Sequence, residues 1–151
     1  MTITQQAAMS EEEIYDFLDT HQTAVMSLSG EAGPYAVPIT YRFDTETETF
    51  YFRLVFPRRS KKREFLPEIP ECLLVSYEED DPVYQSVMAR GTPQEIREED
   101  ITPEHVAKLG ETSRPLFEMW AQSRKSLDIR LYEMEAVELT GRRIDTELDE
   151  E

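Results

Sequence analysis

Six short segments rich in β-branched and aromatic residues most constrain the fold of this chain. Such segments, separated by glycine, proline or acidic turns, are typical of half-buried strands. The predicted strands are residues 23–29, 35–43, 50–55, 72–77, 83–96 and 127–139, the last being one strand or a bent pair. Short antiparallel strands joined in this way favour a small closed or split barrel. The sequence therefore predicts a mainly β fold, a six-stranded antiparallel barrel with a few short helices.

Three short helices and two tails complete the predicted chain. Ser10 and Glu13 form a capping-box pattern, which starts a helix that ends near Thr20. Two further helices are predicted over residues 102–109 and 113–121. Residues 1–9 and 145–151 are expected to be flexible tails. Because the 151 residues contain no repeat and no linker, we expect a single domain over residues 1–151.

Two residues inside the predicted strands indicate irregular positions. Pro38 cannot donate a hydrogen bond to a neighbouring strand, so its position is predicted to be an edge or a bulge. Gly91, within the segment 83–96, is predicted to mark a bulge or bend where a small barrel curves. Residues 140–143, Thr-Gly-Arg-Arg, are predicted to be a closing turn after the last strand.

A basic run follows the third predicted strand. Five of the 16 basic residues fall within six positions: Arg58, Arg59, Lys61, Lys62 and Arg63. Ser60 is a suitable N-cap for a short helical turn ending before Pro67, and a helix start presents unpaired N–H groups and partial positive charge. The run therefore predicts a site for a phosphate or a carboxylate. A solvated basic turn is the alternative.

The acidic composition restricts the partners of the chain. With 32 acidic and 16 basic residues the formal charge is −16, which disfavours nucleic acid and anionic membranes as partners. No run approaches the roughly 18 apolar residues of a membrane helix, and the N-terminus does not resemble a signal peptide. A cytoplasmic protein is therefore expected. Since only four basic residues are lysines, we also hypothesise a halophilic protein that requires salt.

Other candidate residues favour structural roles. Cys72 lies within an apolar run, which indicates core packing and excludes an intramolecular disulfide. His21 follows the first helix, where a histidine stabilises the helix C-terminus. The acidic residues 78–81 lack the spacing of a calcium loop and are expected to form a solvated loop. We find no metal site and no motif that identifies a catalytic residue.

Four motifs occur in order along the chain. P-Y-x-x-P-x-x-Y runs from Pro34 to Tyr41, and Tyr51-Phe52-Arg53 is followed by Ser60-Lys61-Lys62 and Phe65-Leu66. Ser86-Val87 precedes Gly91 in an S-V-x-x-x-G strand, and Thr140-Gly141-Arg142 matches an I-T-G-R/K turn. These motifs, over about residues 10–143, resemble the FMN-binding split barrels of the pyridoxamine 5′-phosphate oxidase-like superfamily. The resemblance is to its nitroimidazole-reductase-like branch, whose motifs include Y-F-H and G-R-K.

The resemblance implies a flavin site. It implies that FMN is bound, with deazaflavin or haem as the alternatives. Arg53 stands where the family often has histidine, so the role of that histidine does not carry over. Ser60, Lys61 and Lys62 would hold the FMN phosphate. The candidate cofactor-binding residues are Pro38, Ile39, Thr40, Tyr41, Arg53, Ser60, Lys61, Lys62 and Ser86.

The resemblance also implies a function, an FMN-dependent oxidoreductase that acts on a small-molecule substrate as a homodimer. A cofactor enzyme of this kind needs no protein nucleophile, because the flavin carries the hydride chemistry. The alternative is a non-catalytic barrel that binds flavin, deazaflavin or haem. A third reading is an acidic partner protein whose basic turn docks another protein.

Overall fold

The computed structural model describes residues 5–30, 33–57, 71–104 and 127–146. Within them, nine strands form one curled antiparallel sheet in the order β1-β9-β6-β5-β2-β3-β4-β8-β7. The strands are β1 Gln5–Ala8, β2 Thr23–Gly30, β3 Gly33–Asp44, β4 Thr49–Pro57, β5 Cys72–Asp80, β6 Val83–Gly91, β7 Gln94–Glu95, β8 Leu127–Glu135 and β9 Glu138–Asp145. The mainly β split-barrel prediction is confirmed, with nine strands in place of six.

The three additional strands are β1, β7 and β9. They were not predicted separately because the residue pattern within a segment does not show which strand the segment pairs with. Residues 83–96 form β6 and the two-residue β7 rather than one strand, and residues 127–139 contribute to both β8 and β9, as the bent pair predicted. The tail prediction was wrong for residues 5–8, because β1 pairs with β9 from Gln5↔Asp145 to Ala8↔Arg142. Residues 140–143 lie within β9 instead of forming a turn. Acidic residues 78–80 extend β5 rather than forming a loop.

Gly91 ends β6 at a place where the backbone needs close approach. A Cβ atom there would lie 2.5 Å from the carbonyl oxygen of Glu135 and 2.8 Å from Cγ of Met134. Only glycine leaves room for the backbone of β8 at this distance. A bulge or bend was predicted at Gly91. The structure shows that β6 ends at this residue, where the backbone lies close to β8.

Helix α1, Glu11–Thr20, follows the predicted capping box. The Ser10 amide donates to Glu13 Oε1 at 2.8 Å and the Glu13 amide donates to Ser10 Oγ at 3.1 Å, which satisfies two N–H groups at the helix start. Ile14, Phe17 and Leu18 are buried. Of the other predicted helices, 113–121 lies outside the described residues, and only 102–104 of 102–109 lie within them.

The core lies on the concave face of the sheet, under α1. Its most buried large side chains are Tyr41, Phe50, Phe52, Met26, Leu28, Leu54, Met134 and Val87. The Phe50 ring lies 5.5 Å from Tyr41 and 4.7 Å from Phe43 between centroids. Cys72 is buried in this core, 3% exposed, as predicted. Burial raises the pKa of its thiol to about 12, so the neutral thiol persists well above neutral pH.

Strand β3 pairs with β2 along its first part and with β4 along its last four residues. Residues 33–40 pair with β2, while the pairing with β4 spans Tyr41 to Asp44. Pro38 faces Val25 of β2 and has no strand partner on its other side among the described residues. The predicted edge position of Pro38 is confirmed, because a residue without an N–H donor fits an edge where the two halves of the sheet separate.

Candidate functional site

The strand register assigns every residue of β3, β2, β5 and β6 to one of two faces. Successive side chains of a strand point to opposite faces, and directly paired residues share a face. Pro38 is paired with Val25, Val25 with Val75, and Val75 with Met88. This outer row, Pro38-Val25-Val75-Met88, lies on the face opposite the core. Val25 is 37% exposed and Met88 43% exposed.

The outer row lies in the central part of this face, where charges are few, and we name this central part the neutral face. Arg42, Asp44 and Glu79 lie on the same side of the sheet beyond it. The neutral face consists of Ala36, Pro38, Thr40, Thr23, Val25, Ser27, Leu73, Val75, Tyr77, Ser86, Met88 and Arg90. Arg90 is the one charged member, and Glu138 pairs with it at 2.7 Å. Charged residues make up 32% of the chain. Since exposed apolar surface of this kind marks ligand or partner sites, the neutral face is the strongest candidate site.

Three of the predicted site residues lie on the neutral face. Pro38 is exposed, Thr40 is buried and Ser86 is half-buried. Pro38 and Thr40 are neighbours on β3, whereas Ser86 lies on β6, beyond β2 and β5 in the sheet. The register therefore brings Pro38 and Thr40 together and separates Ser86 from them.

Ile39 and Tyr41 point the other way, into the core. Ile39 is 2% exposed and Tyr41 is fully buried, and the Tyr41 hydroxyl donates to the carbonyl of Leu18 at 3.1 Å. Burial raises the pKa of the Tyr41 hydroxyl, because desolvation penalises the phenolate. Neither side chain can reach a ligand on the neutral face, and the Tyr41 amide donates to the carbonyl of Gln22 at 2.9 Å.

Arg53 lies on β4 and is on the outer side of the sheet. Phe52 is paired with Tyr41, both in the core, so the next residue, Arg53, points outward beside Leu131 on β8. Burial lowers the pKa of the guanidinium below its ordinary value. A cation that has lost part of its hydration gains from a bound anion. Ser60, Lys61 and Lys62, the predicted phosphate-binding residues, lie outside the described residues.

A small apolar cluster adjoins Arg53. Tyr51 and Ile96 are buried against each other, with Ile101 and Leu131 packed around them. The Ile96 amide donates to the carbonyl of Leu131 at 2.8 Å, which holds this segment over the outer side of β4 and β8. The outer side of the sheet is thus covered beyond Arg53 and open on the neutral face.

A cleft of about 350 Å³ opens at one end of the neutral face. Its described lining residues are His21, Gln22, Thr23, Ala24, Val25, Val75, Ser76 and Tyr77. Tyr77 is 63% exposed. Thr23 and Val25 are the register partners of Thr40 and Pro38, so the cleft directly borders two of the predicted site residues.

His21 forms the wall between this cleft and α1. Its Nδ1 lies 2.7 Å from the carbonyl oxygen of Phe17, and its Nε2 lies 2.6 Å from Oε1 of Glu78. Both ring nitrogens therefore lie within hydrogen-bonding distance of oxygen atoms, one from α1 and one from β5. The ring stacks on Phe17 at 3.8 Å between centroids. The predicted role at the helix end is confirmed, since His21 is the C-cap of α1.

Sequence reasoning missed the cleft and the His21–Glu78 pair. The two residues are 57 positions apart, and no local pattern links them. Leu73, Val75 and Tyr77 alternate along β5, and this alternation could have indicated an outward apolar face. A continuous apolar run, however, is equally typical of a strand that is covered on both sides.

A second cleft, of about 320 Å³, lies elsewhere and is polar. Its described lining includes Thr49, Thr92, Gln94, Glu133 and Glu135. Across the described ranges no group of three or more His, Cys, Asp or Glu residues could hold a metal ion. None of the helices in those ranges combines the length and the apolar character needed to cross a membrane.

The fold has several known counterparts. A FAD-binding protein from Mesorhizobium loti superposes with a TM-score of 0.71 at 16% identity, covering 95% of this chain and 99% of that chain. A FAD-binding protein from Mycobacterium smegmatis gives 0.66 at 16% identity, with 92% and 98% covered. A candidate pyridoxamine 5′-phosphate oxidase from Corynebacterium glutamicum gives 0.67 at 18% identity, with 97% and 96% covered. At these identities the likeness establishes the shared fold.

The sequence itself matches a family model. No curated protein sequence matches the chain. The model described as pyridoxamine 5′-phosphate oxidase matches residues 10–143, which include α1, all strands from β2 to β8 and most of β9. This chain belongs to the pyridoxamine 5′-phosphate oxidase family.

Proposed function

We propose that the protein is an FMN-dependent oxidoreductase whose flavin lies on the neutral face next to β4. The observation that carries this proposal is the position of Pro38, Thr40 and Arg53 on one side of the sheet at the point where β3 leaves β2 for β4. Membership of the family supports a flavin ligand, as do the FAD-binding proteins that share the fold. When bound, the flavin supplies hydride transfer, which the described side chains do not offer.

Each residue would then have a definite task. Pro38 and Val25 offer a flat apolar surface for the ring system, and Thr40 lies beside them on the same face. Arg53 provides positive charge at the end of this surface. Ser60, Lys61 and Lys62 would hold the phosphate through charge-assisted hydrogen bonds. Ser86, three strands away, would contact a flavin only across an interface between two protomers.

The test is an absorption spectrum of the protein purified in high KCl, followed by chromatography of the heat-released cofactor. We expect flavin bands and FMN, while released FAD would change the cofactor assignment. A haem band would favour the non-catalytic alternative. A colourless protein that does not take up added FMN would contradict the proposal. Flavin reduction by a nicotinamide donor would distinguish an oxidoreductase from a flavin-storing barrel.

Variants test the phosphate assignment. The double variant Lys61→Ala, Lys62→Ala should weaken FMN binding at least roughly a hundredfold, since each charge-assisted hydrogen bond contributes about 1.5–3 kcal/mol. Arg90→Ala is the matched control, because Arg90 is on the neutral face but paired with Glu138. Unchanged FMN affinity in the double variant would refute the phosphate assignment.

We further propose a homodimer in which a second copy covers Leu73, Val75 and Met88. A chain of charge −16 can approach a copy of itself only through surface free of like charge, and these side chains form such a surface. Met88→Glu should give monomers by light scattering after size exclusion. Val137→Glu, at a residue 70% exposed whose side chain lines the polar cleft, should leave the dimer intact. Dimeric Met88→Glu would disprove this interface.

The acidic surface supports the proposal that the protein works in a salt-rich cytoplasm. At low ionic strength the excess of carboxylates repels itself, and salt screens this repulsion. The melting temperature should therefore rise with KCl. A melting curve that is independent of KCl would contradict a halophilic origin.

A further inference from the structure

The Thr-Gly-Arg-Arg motif at residues 140–143 has no assigned part in the proposed flavin site, and its last arginine lines a separate cleft. Successive residues of a strand point to opposite faces, so Arg142 points outward with its partner Ser86, and Arg143 points inward with its partner Gln85. A cleft of about 300 Å³ opens between this inner side and α1. We name it the α1 cleft. Its described lining residues are Glu13, Asp16, Phe17, Thr20, His21, Glu78, Gln85 and Arg143.

We infer that the α1 cleft binds a small zwitterion of the free amino-acid class. Its lining carries opposite charges on different elements: Glu78, Gln85 and Arg143 form one cross-strand row over β5, β6 and β9, and Asp16 lies on α1. The Arg143 guanidinium offers parallel N–H donors to a carboxylate, and the Asp16 carboxylate accepts from an ammonium group. Because the proposed flavin surface lies on the outer side of the sheet, the inference does not depend on the flavin.

The two charges that would hold the ligand are not satisfied within the described part of the chain. Among the described residues, neither the Arg143 nor the Asp16 side chain forms an ion pair or a hydrogen bond. The Ser10 amide and, more weakly, the charge of Arg143 lower the pKa of the Glu13 carboxyl, but Glu13 Oε1 is already bonded to that amide at 2.8 Å. Glu78 is similarly bonded to His21 at 2.6 Å. The guanidinium of Arg143 therefore remains available to a ligand.

The balance of charge in the lining selects a ligand with both signs. A simple carboxylate would meet three carboxylates of the lining as well as the guanidinium, so repulsion would offset its ion pair. A simple amine would leave the guanidinium without a counterion. A zwitterion avoids both losses, because each of its groups meets the opposite charge. The volume of the cleft is at the lower end of small-molecule sites, which suits an amino acid with a small side chain.

The experiment is an NMR titration of the full-length protein at constant KCl with three probes of similar size. L-alanine carries both charges, ethylamine lacks the carboxylate, and propionate lacks the ammonium group. We expect saturable shifts at the amides of Thr20 and Gln85, with L-alanine binding at least roughly tenfold more tightly than either of the other probes. Equal affinities for the three probes, or shifts with L-alanine that do not saturate, would overturn the inference.

Variants test the role of each charge. Arg143→Gln should weaken L-alanine binding roughly tenfold, to the level of ethylamine, and Asp16→Asn should weaken it about threefold, since a single exposed ion pair is worth less. Arg143→Lys, which keeps the charge but not the fork of donors, should lie between Arg143→Gln and the parent. Thermal melting checks that each variant is folded.

The matched control is Arg142→Gln, which removes the same charge from the neighbouring residue on the opposite face of β9. It should leave L-alanine binding unchanged. An L-alanine affinity that is unaffected by Arg143→Gln, or that falls equally in Arg142→Gln, would refute the site. Because the titration does not require flavin, failure of the flavin proposal would leave this result unaffected.

Discussion

Strands β2, β3, β5 and β6 have one buried and one exposed face, although the residues of the two faces alternate along each strand. Met26 and Leu74 on the inner face are 0% and 2% exposed, whereas Val25 and Met88 on the outer face are 37% and 43% exposed. Helix α1 covers the inner face with Ile14, Phe17 and Leu18. The inner face therefore contributes most of the stability, and the outer face keeps apolar surface available for a ligand or a second copy.

The two faces also differ in the environment of their tyrosines. Tyr41 on the inner face donates to a backbone carbonyl and is fully buried, whereas Tyr77 on the outer face is 63% exposed. A buried hydroxyl must be paired because an unpaired one is costly. The exposed hydroxyl of Tyr77 can bond to water, so it carries no such constraint.

The strongest test of the comparison truncates one large side chain on each face. Phe52→Ala should lower the free energy of unfolding by about 3–5 kcal/mol, because it leaves a cavity beside Tyr132. Met88→Ala should change it by less than about 0.5 kcal/mol. Denaturant titration at a fixed KCl concentration measures both. Comparable losses in the two variants would mean that the outer face also supports the fold of the protomer.

A second test adds one methyl group to the inner face. Gly91→Ala should cost about 2–3 kcal/mol, since its Cβ would meet the backbone oxygen of Glu135 at 2.5 Å. Gly141→Ala is the matched control, because its Cβ would meet the flexible side chains of Met9 and Ile14 at 2.8 and 2.9 Å. It should cost about 1 kcal/mol. Thermal unfolding measures the stability of both variants. A larger loss of stability in Gly141→Ala than in Gly91→Ala would contradict this explanation.

A smaller effect is expected where α1 meets the β3–β4 hairpin. The Tyr15 hydroxyl donates to Glu48 Oε2 at 2.6 Å, and this bond raises the pKa of Tyr15 to about 12 from 10.0. Because the folded pKa is raised, the stability from this bond is complete below about pH 10 and is lost as the pH rises through about 12. Tyr15→Phe should therefore be destabilised relative to the parent at about pH 8, with the difference shrinking between about pH 10 and 12.

The control for this pH series is Tyr77→Phe, which removes a hydroxyl from the outer face. Its unfolding free energy should follow that of the parent across the range. A difference between Tyr15→Phe and the parent that stays constant from about pH 8 to 12 would show that the Tyr15–Glu48 bond does not link stability to pH.

The last test compares thiols on the two faces and should leave stability nearly unchanged. Cys72 should not react with a thiol reagent at about pH 8 in the folded protein, because its thiol is buried and its pKa is raised to about 12. Met88→Cys should introduce one rapidly reacting thiol at an exposed position. Mass spectrometry after labelling counts the modified sites. Labelling of Cys72 as fast as the thiol introduced on the outer face would refute the sealed inner face.

The local features of the chain were predictable because each depends on neighbouring residues. The capping box at Ser10, the core position of Cys72 and the edge position of Pro38 each follow from chemistry within a few residues. The strand segments themselves were also visible, although their number was underestimated. Residues 5–8 contain no strand pattern of their own, and they become a strand only because β9 offers an unpaired edge.

The sequence by itself determined the class of fold, the strand segments, the family motifs and the concentration of basic residues at 58–63. Only the tertiary structure decided that Pro38, Thr40 and Arg53 share an outer side, that Ile39 and Tyr41 belong to the core, and that His21 meets Glu78 beside a cleft. The physical reason is that alternation along a strand is local, whereas register and strand order arise from hydrogen bonds between residues far apart in the chain.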